Sequence, residues 1–179
     1  MSLELIVGCM YSGKSSELIR RVKRLDTIQQ SYIIYNSSID TRYGTHGIYT
    51  HNKNHLPSFI TDSLLNQIDT SGYQQATTIF IDEAQFFPDL CQFVKIAVDQ
   101  HNKHVVVIGL DGDSEKHNFG QIHQLLPHCD NITKLKALCS LCKDGTPAIF
   151  SKKIVNTSQV VDVGSTDKYM AVCRSCYMK

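Results

Sequence analysis

Apolar residues in this chain come in short unbroken runs separated by amphipathic stretches. Leu3–Val7 is such a run, ends at a glycine, and predicts a buried strand. After a turn, Ser15–Gln30 carries Leu18, Ile19, Val22 and Leu25 at helical spacing with basic residues between them, which predicts an amphipathic helix. Ser31–Tyr35 reads as a second strand. Residues 36–58 are polar, with two glycines, one proline and His46, His51 and His55. Connections of this length in compact domains tend to carry function. Thr61–Ile68 suggests a short helix, and Thr77–Ile81 a buried strand that ends on Asp82 and Glu83. Pro88 suits the opening of a helix running to about His101, and Val105–Leu110 is a fourth apolar strand, followed by Asp111 and Gly112.

Continuous apolar strands alternating with helices indicate an α/β fold with a parallel sheet covered on both faces. Polar residues cluster just past the strand ends, where open α/β sheets bind ligands. From about residue 136 the pattern gives way to short segments with paired cysteines. The expected organisation is therefore a main domain over 1–135 and a small C-terminal subdomain over 136–179.

Composition narrows the function. The 179 residues are 42% hydrophobic, enough for a buried core, and the formal charge is +1, so no basic field draws the chain to nucleic acid. The N-terminal apolar run is too short for a signal peptide and lacks a basic start, and no segment reaches the length of a membrane span. The expectation is a cytoplasmic protein with no membrane and no nucleic-acid partner. In a reducing compartment seven cysteines need an explanation other than disulfides.

Gly8-Cys9-Met10-Tyr11-Ser12-Gly13-Lys14-Ser15 fits the phosphate-binding pattern G-x-x-x-x-G-K-[ST], between a predicted strand and a predicted helix. Its backbone N–H groups would face phosphate oxygens, Lys14 would add a point charge, and the Ser15 hydroxyl would reach Mg²⁺. Cys9 is either a small filler or, in a site built for anions, a reactive thiolate. An acid at the end of an apolar strand suits the Mg²⁺ shell. Of the pair Asp82 and Glu83, the second is then left to take a proton from an attacking hydroxyl, unless both are solvated acids capping a helix. Cys139, Cys142, Cys173 and Cys176 form two C-x-x-C pairs, whose four thiolates suit tetrahedral Zn²⁺ with no open position, a structural metal.

Five blocks occur in order: GCMYSGKSSELIRRVKR, DTRYGTHGIYTHNKN, IDEAQFFPDL, LDGD and the paired cysteines. Together they resemble the type II, zinc-containing thymidine kinases of cytosolic, bacterial and poxvirus kind, over nearly the whole chain. The resemblance implies ATP- and Mg²⁺-dependent phosphorylation of thymidine, and of deoxyuridine, at the 5′-hydroxyl. It implies Glu83 as general base, Asp82 in the Mg²⁺ shell with Gln85 beside the phosphates, and Asp40 and Arg42 near the transferring phosphoryl group. It places Met10, Phe86, Ser114, Phe119 and Ser151 around the nucleoside. Of the Phe86–Phe87 pair, either one could line the pocket or stay in the core. The zinc-clamped segment would be a lasso over the base, with contacts from Val160, Val161, Asp162, Val163, Gly164 and Tyr169. A homotetramer and feedback binding of thymidine triphosphate are also implied. The chain departs from the family pattern at Cys9 (commonly proline), at Ser114 (usually aromatic) and at Asp162, which falls in an otherwise apolar strand. Two rival readings are a kinase for another deoxynucleoside and a zinc-ribbon module using ATP as a switch.

Overall fold

The computed structural model describes residues 1–39, 48–49, 55–155 and 168–179, with backbone alone at 48, 49 and 55. In chain order the main elements are β1 (Ser2–Gly8), α1 (Lys14–Thr27), β2 (Tyr32–Ser37), β3 (Ile48–Tyr49), β4 (His55–Leu56) and β5 (Phe59–Thr61). Then come α2 (Ser71–Gln75), β6 (Thr78–Ile81), α3 (Leu90–Lys95), β7 (His104–Gly109) and β8 (Asn131–Leu135). The C-terminal part holds β9 (Ala137–Leu138), β10 (Pro147–Ala148), β11 (Phe150–Lys153), β12 (Tyr169–Val172) and α4 (Arg174–Tyr177).

Six strands form one sheet in the order β5-β2-β6-β7-β1-β8, and every neighbouring pair is parallel. Alternate residues of the central strands point to opposite faces, so each continuous apolar run fills two cores. One core joins Leu3, Leu5, Val7, Ile79, Ile81, Val105 and Val107 to Tyr73 of α2 and Phe93 of α3. The other joins Ile6, Ile34, Phe80, Val106 and Ile108 to Leu18 and Val22 of α1. The α/β fold expected from the sequence is the fold observed. Among the described residues no helix is long and apolar enough to cross a membrane.

Two predicted features differ. Thr61–Ile68 is not a helix: Thr61 closes β5, and only a single 3₁₀ turn forms, at Leu65–Gln67. The Asp89 carboxylate accepts from Leu65 N at 3.0 Å and from Ser63 Oγ at 2.7 Å, and so holds that turn from outside. The helix opened near Pro88 starts at Leu90 and loosens into a π-helical turn at Ile96–Gln100. Lys103 follows it and donates to the carbonyls of Tyr73, Gln74 and Ala76, which α2 leaves unpaired at its C-terminus.

Candidate active site

β1 delivers the chain to Gly8, where the backbone turns away from the sheet. A Cβ at Gly8 would lie 2.5 Å from Leu135 O and 2.8 Å from Ser12 Oγ, so only glycine fits there. Lys14 opens α1, and its buried ammonium donates to Gly8 O at 3.1 Å and Cys9 O at 2.9 Å, drawing the loop around itself. Ser12 Oγ is buried without a hydrogen-bond partner among the described residues. A buried hydroxyl left in this state favours a ligand that accepts its proton, and a phosphate oxygen does so.

β6 ends one strand beyond β7, at the same edge of the sheet as β1. With strands ~4.8 Å apart, the ends of β1 and β6 are separated by about 10 Å, within the reach of a triphosphate. Asp82 is buried there and continues the ladder by donating its N–H to Tyr35 O. Its Oδ1 accepts from Glu83 N at 3.0 Å. Glu83 sits in the left-handed region (φ 48°, ψ 40°), a conformation that non-glycine residues occupy mostly where the surroundings impose it. Gln85, buried beside it, donates Nε2–H to Glu83 Oε2 at 2.5 Å and accepts from Leu110 N at 3.0 Å.

The C-terminal part packs directly on the phosphate loop. Cys139, Cys142, Cys173 and Cys176 gather with all four sulfur atoms within 4.8 Å of one another, a cluster compatible with a tetrahedral zinc ion. The N–H of Cys173 donates to Cys139 Sγ at 3.3 Å and lowers that thiol, while the crowding of the other three sulfurs raises Cys142, so the four do not ionise together without a cation. Cys9 shares an apolar cluster with Ala137, Ala148, Ala171, Val172 and three of these cysteines. Met10 N donates to Ser151 Oγ at 2.9 Å, and Tyr11 Oη to Tyr169 O at 3.4 Å. At the far end Tyr177 Oη donates to Ser114 O at 2.7 Å and its ring packs on Phe150.

The family model described as thymidine kinase matches residues 1–177. The chain belongs to the thymidine kinase family. It is 40% identical over 176 residues to the thymidine kinase of raccoon poxvirus, covering 98% of this chain and 96% of that one. Against the thymidine kinase of monkeypox virus it is 37% identical with the same coverage. The thymidine kinase of Oryza sativa subsp. japonica is 37% identical over 180 residues, 98% of this chain and 66% of the rice protein.

In this thymidine kinase family member the phosphate loop, Asp82, Glu83 and Gln85 share one sheet edge, and Ser151 and Tyr169 meet that loop from the C-terminal side. The adjacent phenylalanines divide. Phe87 is buried in the core with Leu90 and Phe93, whereas Phe86 is half-buried and meets Phe119 edge-on at 5.5 Å. Asp40, Arg42, the loop histidines His46 and His51, and Val160 to Gly164 lie outside the described residues. The thiolate reading of Cys9 is corrected: burial is the dominant influence and pushes its thiol up, while Sγ turns to Ala148 O. Sequence reasoning missed Tyr177 and Leu110. Tyr177 directly follows the last of the paired cysteines, which is the one signal that could have found it. Leu110 acts through its backbone N–H, and nothing in the sequence marks such a role.

Proposed function

We propose that the chain transfers the γ-phosphoryl group of ATP to the 5′-hydroxyl of thymidine and of deoxyuridine. The observation that carries this reading is the pairing of the Lys14-centred loop with Asp82 and Glu83 at one sheet edge. Family membership supplies the nucleoside. In this reading the loop N–H groups and Lys14 hold the phosphates, and Ser15 and Asp82 hold Mg²⁺. The ion, when bound, neutralises charge between the β- and γ-phosphates. Glu83 accepts the proton of the 5′-hydroxyl as its oxygen bonds to phosphorus. Resemblance alone assigns Asp40 and Arg42 to the transferring group, where Arg42 would balance charge on the equatorial oxygens. Met10, Phe86, Ser114, Phe119, Ser151 and Tyr169 would contact the nucleoside, and resemblance alone assigns the same role to residues 160–164. The four cysteines hold a structural zinc. Resemblance alone supports a homotetramer and feedback binding of thymidine triphosphate.

Labelled ATP-Mg²⁺ incubated with a panel of deoxynucleosides tests the reading. Thymidine and deoxyuridine should yield labelled monophosphates, and Glu83→Gln should lower kcat by ~10²–10⁴-fold. A label confined to another nucleoside, or full turnover by the variant, would overturn it.

A further inference from the structure

Gln85 is a neutral side chain locked at both ends of its amide. Leu110 N–H can only donate, so the amide atom facing it is the oxygen, at 3.0 Å. The Glu83 carboxylate, when ionised, can only accept, so the atom facing it is the nitrogen, at 2.5 Å. These two partners fix the amide orientation without ambiguity. Neighbouring backbone allows Gln85 no slack. A Cβ at Gly109 would lie 2.5 Å from Gln85 Oε1, and a Cβ at Gly120 would lie 2.2 Å from Gln85 O. Two glycines therefore let the end of β7 and the segment before Ile122 close around this one residue. Glu83 is held from the other side too, since Asp82 Oδ1 takes its N–H and its backbone is in the left-handed region.

We infer that Gln85 is a positioning residue that aims the Glu83 carboxylate, by tying it to the end of the neighbouring strand β7. This goes beyond a phosphate contact and rests on the reading of Glu83 as the base. Glutamate has three side-chain torsions, and a free carboxylate would spend most of its time away from the acceptor hydroxyl. The amide bridge narrows the range of the carboxylate before substrate arrives, so less ordering remains for the reaction step.

The test is a double-mutant cycle. Gln85→Met removes both bonds at similar volume. Gln85→Glu keeps an acceptor for Leu110 N–H, which guards against a fold effect, but sets a second carboxyl against Glu83 with which it can share a proton, so its rate is read across pH. Each is measured with Glu83 and with Glu83→Gln, for kcat, both KM values and thermal midpoint. Both substitutions should lower kcat about 10- to 100-fold when Glu83 is present, with KM for thymidine within about threefold. On the Glu83→Gln background they should change the residual rate less than about twofold. An equal fall on both backgrounds, or a raised KM for ATP at unchanged kcat, overturns the positioning role. Normal kcat in Gln85→Met overturns it alone, whereas full turnover by Glu83→Gln overturns the base reading beneath it.

Discussion

Ser151 begins as a residue of the C-terminal hairpin but does its hydrogen bonding on the phosphate loop. Its hydroxyl, buried, accepts Met10 N–H across a separation of 141 residues. The sequence resemblance suggests a place for Ser151 beside the nucleoside, yet no local pattern could reveal its partner, because a serine before two lysines is unremarkable in any register. Replacing it tests the bond. Ser151→Ala leaves a buried backbone donor without an acceptor, a loss of ~1–3 kcal/mol. For a chain of this size that is a fall of ~2–10 °C in Tm, with Ser151→Thr restoring most of it. A Ser151→Ala protein that melts with the wild type would show that the bond contributes nothing. The same contrast of scales explains Cys9: its position in a glycine-rich anion loop leaves a small filler and a thiolate both open, and its burial against the C-terminal cluster favours the filler.

Helix α1 was legible because its inward face repeats at helical spacing, and Leu18, Ile19 and Val22 are the residues it buries. What fixes its other side is ionic. Glu17, in the first turn, meets Arg20 and Arg21, and Arg21 also reaches Glu4 of β1 at 2.5 Å. The hydrogen bond from Arg20 is the largest influence on the Glu17 carboxyl; burial opposes it, and with the Arg21 hydrogen bond and both positive charges added the carboxyl falls from 4.5 to about 2. A depressed folded-state value means stability that is present above pH 4.5 and lost as pH falls toward 2. Glu17 is half-buried, but its first partner Arg20 is exposed and solvent screens that side of the pair, so Glu17→Gln should cost no more than ~1 kcal/mol at pH 6. Urea unfolding of both proteins should show that gap narrowing by pH 3, and a gap independent of pH would exclude the ion pair as its source. Strands show a matching divide. β1, β2, β6 and β7 lie inside the sheet and read as apolar runs, whereas β5 and β8 are its edges. Phe59-Ile60-Thr61 and Asn131–Leu135 each contain no buried residue, so hydrophobic pattern gave them no signature.

At the scale of the whole molecule the phosphate loop and the cysteine cluster are one packed unit, although the sequence suggests a boundary at residue 136 between them. Cys9 lies in the same apolar cluster as Cys139, Cys173 and Cys176, and Met10 and Tyr11 bond to β11 and β12. Four thiolates cannot stay within 4.8 Å of one another without a cation, so removing a bound metal should loosen this cluster and, through it, the loop. Cys9 reports the event. Burial hides its sulfur and pushes the thiol up from 9.0, both of which slow alkylation near neutral pH. In the zinc-loaded protein Cys9 should remain unlabelled by iodoacetamide while the native fold lasts. Treatment with a strong chelator should lower Tm and bring Cys9 into the labelled set, identified by peptide mass mapping. ATP affinity should weaken in the same titration, because the loop N–H groups lose the surface that arranges them. If chelation removes zinc and lowers Tm while Cys9 stays protected and ATP still binds, the cluster supports only its own hairpins and the phosphate loop stands without it.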